Sequence, residues 1–256
     1  MQGWEACDTR IMSVQFGDVD AITFDFYNTL VYHRQGSGRG AVLMEYLASH
    51  GLESGPWEHQ VLYDVFEHHG EEYSPELSAE AKQHYLVRLT ERVFERLDVH
   101  APDDGARDHA RNVWGILGPT SLSVFPDVLD ILGILRGAGY RLALVSNWQC
   151  GLRHFCAELG LGDAFDYVVV SAEVGWEKPD PEIFHEACSL LETPCHRVLH
   201  IGDSYVDDIE GAQSAGMPAL LLQRGGSAIC GDTPTIPGLD QLPDLLGLSG
   251  RLTGEA

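Results

Sequence analysis

Apolar runs that alternate with amphipathic stretches predict an α/β fold for most of this chain. Residues 19–24 have little polar interruption, as expected of a strand buried on both faces. The alternation resumes after residue 120. The predicted strands are 141–145, 167–170, 197–201 and 219–222, and the predicted helices are 128–135, 151–159, 181–191, 208–215 and 239–246. Strands and helices at this spacing indicate a parallel, doubly wound (Rossmann-like) sheet.

The segment between the first strand and residue 120 has a different pattern. From residue 41 to residue 117, apolar side chains recur at helical spacing, for example at Val61, Leu62, Val65 and Phe66. Breaks rich in Gly, Pro and Ser fall at residues 51–56, 74–75 and 101–105. We therefore predict an all-helical insert at 33–119 within a core formed by residues 1–32 and 120–256.

The formal net charge of −23 narrows the possible partners. Such a charge opposes binding to nucleic acids or anionic membranes, and a small anionic substrate would need a local cation. The N-terminus lacks the pattern of a signal peptide, and no apolar run approaches the ~20 residues that span a bilayer. The 6 cysteines lack Cys-x-x-Cys spacing, as is typical of reduced thiols. We expect a cytoplasmic protein.

Polar residues stand where four apolar runs end. Ser146 and Asn147 follow the strand at 141–145, and Lys178 lies in the loop after the strand at 167–170. The carboxylates at such positions are Asp25, Asp203, Asp207 and Asp208. Taken singly, each residue is also explained as a helix cap or a turn residue. Together they are expected at the carboxyl ends of parallel strands, where α/β proteins bind ligands.

Several carboxylates at one sheet edge require positive charge to offset their repulsion. Lys178 supplies one charge, and it is one of two lysines among the 16 basic residues of the chain. The choice of a compact ammonium in this loop favours a functional role for Lys178, although a lysine at an ordinary surface position would also explain its presence. A divalent ion would supply more charge, and a set of oxygen ligands favours Mg²⁺.

The order of these residues resembles the haloacid dehalogenase superfamily, a group of hydrolases dominated by phosphatases. Residues 25–29 resemble its first motif, Asp-x-Asp-Gly-Thr, Ser146 the second, Lys178 with Pro179 the third, and residues 202–208 the fourth. The resemblance covers nearly the whole chain. The layout around residues 175–181 is closer to the hydrolase domain-containing branch of the family than to true dehalogenases. The resemblance implies that the helical insert is a cap that closes over the site and selects the substrate.

The resemblance also implies roles for individual residues. Asp25 would be the nucleophile that attacks phosphorus and forms an aspartyl-phosphate. Asp25 and Asp203 would hold Mg²⁺. Asp208 would support Lys178 or a metal-bound water, and Asp207 is the alternative candidate for this role. Four side chains would bind the substrate: Thr29, Ser146, Asn147 and Lys178. Ser146 and Lys178 would also stabilise the charge on the transferring phosphoryl group.

Tyr27 departs from the first motif. Phosphatases of the family have an Asp at this position, which protonates the leaving oxygen and then activates water. A phenol with a pKa near ~10 can donate a proton but is a poor base at neutral pH. The backbone carbonyl of Tyr27 would still complete the Mg²⁺ site. The 2-haloacid dehalogenases of the family carry Tyr here but lack the metal-binding carboxylate that this chain keeps as Asp203.

Three functions therefore stay open at the level of sequence. The leading interpretation is a Mg²⁺-dependent phosphatase of small phosphomonoesters, because the metal-binding residues are retained. A 2-haloacid dehalogenase is favoured by Tyr27, since a departing halide needs neither a proton nor a metal. A phosphate-binding or interaction protein with little turnover is favoured by the loss of the acid–base Asp.

Overall fold

The computed structural model describes residues 16, 18–34, 38–55, 79–100, 108–109, 112–113, 116, 121–148, 151–225 and 233–248. The predicted helical segment around residues 61–66 lies outside these ranges. The chain forms two compact units. The first, called the sheet unit, comprises Met1–Val31, Val124–Asn147 and Asp163–Ala256, and the second comprises Tyr32–Ser123 and Trp148–Gly162.

A six-stranded sheet, parallel throughout, forms the centre of the sheet unit. In chain order its strands are β1 (Ala21–Phe24), β4 (Arg141–Ser146), β5 (Tyr167–Val170), β6 (Val198–Gly202), β7 (Ala219–Leu222) and β8 (Thr235–Ile236). Their order across the sheet is β5-β4-β1-β6-β7-β8, so the chain runs outward from β1 on one side and then on the other. This confirms the doubly wound α/β fold, and its switch point lies at β1. A separate two-stranded sheet pairs β2 (Val31–His33) with β3 (Leu122–Val124).

Helices follow the strands at most of the predicted positions. Their bounds are α1 Gly38–Ser49, α2 Ala79–Arg96, α3 Val128–Gly137, α4 Leu152–Glu158, α5 Ser171–Val174, α6 Pro181–Leu190, α7 Gly211–Ser214 and α8 Leu242–Leu245. Short 3₁₀ turns occupy Cys195–Arg197 and Leu239–Gln241. No helix among the described residues is long and apolar enough to cross a bilayer.

The segment predicted as a helix at 208–215 has a different local structure. A π-helical turn at Tyr205–Glu210 precedes α7. The carbonyl of Ser204 accepts from the N–H groups of both Asp208, at 3.0 Å, and Ile209, at 3.3 Å. This wider first turn changes the direction in which the following side chains project, and such turns are frequent at functional sites.

Each unit has its own apolar core. In the sheet unit, β1 is fully buried along its four residues, as the apolar run predicts. The cluster on one side of the sheet includes Ala143, Val145, Ile183, Phe184 and Leu221. In the second unit α1 and α2 bury a cluster that includes Leu43, Leu47, Leu89, Val93 and Leu97. Burying each Val, Leu, Ile or Phe side chain of these clusters stabilises the fold by about 1.5–3 kcal/mol.

Candidate active site

The candidate site lies at the carboxyl ends of three neighbouring strands of the sheet unit. Phe24 of β1 is paired with Leu144 of β4 on one side and with Ile201 of β6 on the other. The N–H of Asp25 continues this ladder by donating to the carbonyl of Ile201 at 2.9 Å. Residues that follow these three strands are therefore brought to one edge by the register of the sheet.

The loop after β1 is held in a tight turn. Asn28 has a φ of 61°, in the left-handed region that Asn tolerates better than most residues, and its N–H donates to the Val31 carbonyl at 2.7 Å. The side chain of Asn28 hydrogen-bonds to Asp203. Thr29 is fully buried, and its carbonyl accepts a 3.0 Å hydrogen bond from Nε of Arg224. This loop thus connects the first and fourth motifs.

Lys178 joins two carboxylates in the interior of the site. Its Nζ donates to Oδ1 of Asp25 at 2.6 Å and to Oδ1 of Asp208 at 2.5 Å. Only 3% of its side chain is exposed. Ser146 Oγ donates to the same Asp25 oxygen at 3.3 Å. The structure therefore brings Asp25, Ser146, Lys178 and Asp208 into direct contact.

Asn147 contacts the backbone of Lys178 at two points. Its Oδ1 accepts from the Lys178 N–H at 2.7 Å, and its Nδ2 donates to the Lys178 carbonyl at 2.8 Å. The Lys178–Pro179 peptide bond, which precedes α6, is cis. Asp180 then caps α6, with Oδ1 accepting from the Glu182 N–H at 3.0 Å. The Lys178 loop is thus fixed at both ends.

The Asp208 carboxylate has two further contacts beyond its pair with Lys178, one on each oxygen. Its Oδ1 also lies 3.1 Å from Nε2 of His200, and its Oδ2 accepts from the Ser204 N–H at 2.9 Å. Asp207 instead accepts from Ser204 Oγ at 3.1 Å. Of the two adjacent carboxylates, Asp208 is therefore the one that contacts Lys178.

Three carboxylates share this space with a single lysine. Asp25, Asp203 and Asp208 each place one oxygen within 4.8 Å of the others. Burial, followed by the charges of Asp25 and Asp208, raises the pKa of Asp203 to about 7. Burial also raises the pKa of Asp25 above its usual range, although Lys178 opposes this rise. Removal of these carboxylates from water thus favours their protonation unless a further cation is bound.

Two members of the cluster are held in their charged forms. Burial disfavours charge on Asp208, but Lys178 and His200 hold its pKa well below the usual range. Burial likewise disfavours the ammonium of Lys178, but Asp208 and Asp25 raise the pKa of that group above the usual range. Because one ammonium cannot neutralise three carboxylates, the oxygen-only cluster fits a hard divalent cation such as Mg²⁺.

The profile of the haloacid dehalogenase-like hydrolases matches residues 19–216, which include Asp25, Ser146, Lys178, Asp203 and Asp208. The chain belongs to this family of hydrolases. Related proteins include a plasmid-encoded phosphoglycolate phosphatase of Cupriavidus necator, 35% identical over 174 residues that cover 63% of this chain and 73% of that protein. A protein named haloacid dehalogenase-like hydrolase domain-containing protein 3 from Bos taurus is 39% identical over 104 residues. That alignment covers only 41% of each chain, so this hydrolase spans less than half the length of that relative.

Solved structures of the family resemble this hydrolase over most of its length. A phosphatase from Thermococcus onnurineus superposes with a TM-score of 0.59 at 25% identity, covering 90% of this chain and 98% of the other. A 2-haloacid dehalogenase from Pseudomonas syringae has a TM-score of 0.57 at 26% identity with the same coverage. The likeness therefore extends to both reaction classes within the family.

Two residues of the site are not identified by the sequence motifs. His200 is fully buried in β6 and contacts Asp208. Arg224 donates to the Thr29 carbonyl of the first-motif loop, and its guanidinium lies 3.8 Å from the centre of the Phe125 ring. A histidine inside an otherwise apolar strand is a visible signal of a buried polar contact. Arg224 gives no comparable signal, because its partner Thr29 is distant in the sequence.

Proposed function

We propose that this hydrolase is a Mg²⁺-dependent phosphatase of small phosphomonoesters that works through an aspartyl-phosphate at Asp25. One observation carries the proposal: Asp25, Asp203 and Asp208 each place an oxygen within 4.8 Å of the others, and the ammonium of Lys178 pairs with Asp25 and Asp208. Such a site has a nucleophile, a deficit of positive charge that a metal would offset, and a cation for an anionic substrate. The phosphatases among its relatives support the same reaction class.

The side chains of Asp25 and Asp203 would hold Mg²⁺, together with the backbone carbonyl of Tyr27. Bound there, the cation would neutralise charge on the carboxylates and on the phosphoryl oxygens. Asp208 is the weaker candidate for direct ligation, because its oxygens already accept from Lys178, His200 and Ser204. We assign it to holding Lys178 instead.

Chemistry begins when a carboxylate oxygen of Asp25 attacks phosphorus and the bond from phosphorus to the ester oxygen breaks. The departing oxygen takes up a proton from the Tyr27 phenol or from water and leaves as an alcohol. Lys178 and Ser146, which already contact Asp25, would donate to the phosphoryl oxygens as charge develops on them. Asn147 would position Lys178 through its two backbone contacts. Water then attacks the aspartyl-phosphate, which releases phosphate and restores the carboxylate. Thr29 remains a predicted substrate-binding residue, and the assignment of residues 33–119 as a substrate-selecting cap remains a prediction.

Tyr27 favours a second candidate, a 2-haloacid dehalogenase. It stands in the first motif where the resemblance leads us to expect an acid–base Asp, and one structural relative is such a dehalogenase. In that reaction Asp25 would displace a halide from carbon, a step without a protonated leaving group. The retained Asp203 and its crowding with the other carboxylates favour the phosphatase, because dehalogenation uses no metal.

One assay separates these candidates. The chain would be tested with phosphoglycolate, glyceraldehyde 3-phosphate and p-nitrophenyl phosphate with Mg²⁺ or with EDTA, and with 2-chloropropionate for chloride release. We expect Mg²⁺-dependent phosphate release that Asp25→Asn abolishes and that Asp130→Asn, an exposed change on α3, leaves intact. Chloride release that persists in EDTA would instead establish the dehalogenase. Mg²⁺-dependent binding of beryllofluoride without turnover on any substrate would indicate a phosphate-binding protein.

A further inference from the structure

His200 connects the interior of the sheet to the candidate site. It is fully buried, and its two ring nitrogens face two different partners. Nδ1 lies 2.9 Å from the hydroxyl of Thr23, and Nε2 lies 3.1 Å from Oδ1 of Asp208. Thr23 and His200 are register partners on β1 and β6, so the pairing is built into the sheet. The Phe184 ring packs against the imidazole with its centre 5.0 Å away.

The partners of the ring determine which nitrogen carries the proton. An ionised Asp208 can only accept, so Nε2 must donate to it. In a neutral imidazole Nδ1 then accepts, and the Thr23 hydroxyl donates to it. Asp208 thereby fixes the tautomer that carries N–H at Nε2, and Thr23 stabilises this tautomer by donating to Nδ1.

We propose that Thr23 and His200 are positioning residues that orient Asp208 and, through it, the ammonium of Lys178. This inference rests on the proposed phosphatase function, which gives Lys178 its task. The same Oδ1 of Asp208 receives both Nε2 of His200 and Nζ of Lys178. The position of that oxygen therefore sets where Lys178 can stand while it also reaches Oδ1 of Asp25.

Steric restraint acts on the same carboxyl group. A Cβ on Gly202 would overlap the Asp208 carboxyl group, so the absence of a side chain at this position leaves the space that the carboxyl group occupies. Ser204 donates to its other oxygen at 2.9 Å. Loss of the His200 donor would leave Oδ1 held by Lys178 alone, and the ammonium would then shift toward Asp208 and away from the phosphoryl oxygens.

Paired substitutions test the role of each nitrogen. His200→Gln keeps an N–H donor near the position of Nε2, whereas His200→Asn places its polar atoms near Nδ1. With p-nitrophenyl phosphate and Mg²⁺ we expect His200→Asn to lower kcat by about 10–100-fold with little change in KM. Losses of this size are usual when a residue that orients a functional side chain, here Asp208, is replaced. His200→Gln should recover most of the lost turnover. Equal kcat values for wild type and His200→Asn would overturn the proposal.

Thr23 provides a variant that keeps the ring in place. Thr23→Val replaces the hydroxyl with a methyl group of similar size, and Thr23→Ser retains the hydroxyl. We expect Thr23→Val to lower kcat and Thr23→Ser to preserve it. In a double-mutant cycle, Thr23→Val should have no further effect in the His200→Gln background, because its action passes through the imidazole. Additive losses would contradict this coupling.

Two measurements are independent of turnover. The ¹⁵N spectrum of histidine-labelled protein should show His200 with a protonated Nε2 and a bare Nδ1, and the opposite tautomer would overturn the proposal. Binding of beryllofluoride with Mg²⁺ should weaken in His200→Asn and recover in His200→Gln. If wild type hydrolyses no phosphomonoester, the proposed function fails; the spectrum and these affinities then still decide the positioning role, and equal affinities in all three proteins would refute it.

Discussion

Replacement of Asp203 by Asn should stabilise the metal-free protein at alkaline pH. The rise in the pKa of Asp203 from 3.8 to about 7 corresponds to about 4 kcal/mol, which partial exposure of the group reduces to about 2–3 kcal/mol. Because the folded pKa exceeds the unfolded one, the folded chain holds an extra proton between about pH 4 and pH 7. Stability is therefore lost as the pH rises through that window. Asn carries no charge and avoids this loss.

Urea unfolding in EDTA at a series of pH values measures the effect. We expect wild type and Asp203→Asn to have similar free energies of unfolding near pH 4, with the variant more stable by about 2–3 kcal/mol above pH 8. Mg²⁺ at pH 8 should then stabilise wild type and have little effect on the variant. Asp130→Asn, on the exposed surface of α3, controls for the loss of one negative charge from the chain. Equal or lower stability of Asp203→Asn at pH 8 would refute the account of crowded carboxylates.

Three further predictions concern neighbouring features. Gly202→Ala forces a methyl group against the Asp208 carboxyl group, so we expect a loss of about 1–3 kcal/mol in urea unfolding together with lower turnover; unchanged values of both would contradict the packing. Lys178→Met leaves a buried carboxylate uncompensated, which should cost about 3–5 kcal/mol in the same assay and abolish phosphate release, whereas retained activity would exclude its proposed role. The Sγ atoms of Cys188 and Cys195 lie 2.7 Å apart, so oxidised glutathione should convert the two thiols into an intramolecular disulfide. Mass spectrometry should show the loss of two hydrogens. An unchanged mass, or the same loss in Cys195→Ser, would contradict this pairing.

The fold was largely predictable because strands of a buried parallel sheet give continuous apolar runs. β7, with four buried apolar residues, is an example. β8 was not predicted, since its two residues, Thr235 and Ile236, are too few to show any periodicity. Its pairing depends on the free edge of β7, which is a tertiary property. The π-helical turn was likewise missed, because it differs from an α-helix only in the spacing of its hydrogen bonds.

The candidate site was predictable in its residues more than in its contacts. Strand ends identify Asp25 and Lys178, since parallel strands bring their carboxyl ends to one edge. The choice between Asp207 and Asp208 needed the geometry of the turn, because adjacent side chains project in different directions. The partnership of Thr23 with His200 depends on the register between β1 and β6, which no local pattern encodes.

The central position of β1 in the sheet has a consequence for the exchange of its amide protons with solvent. β1 is hydrogen-bonded to β4 on one side and to β6 on the other, so Asp25 follows a strand with no free edge. Amide protons of such a strand exchange with solvent mainly through global unfolding rather than through local fraying. Any ligand that binds only the folded site should therefore slow exchange in β1 by the same factor by which it stabilises the whole sheet unit. Deuterium uptake at residues 21–24 would then serve as a label-free measure of ligand affinity.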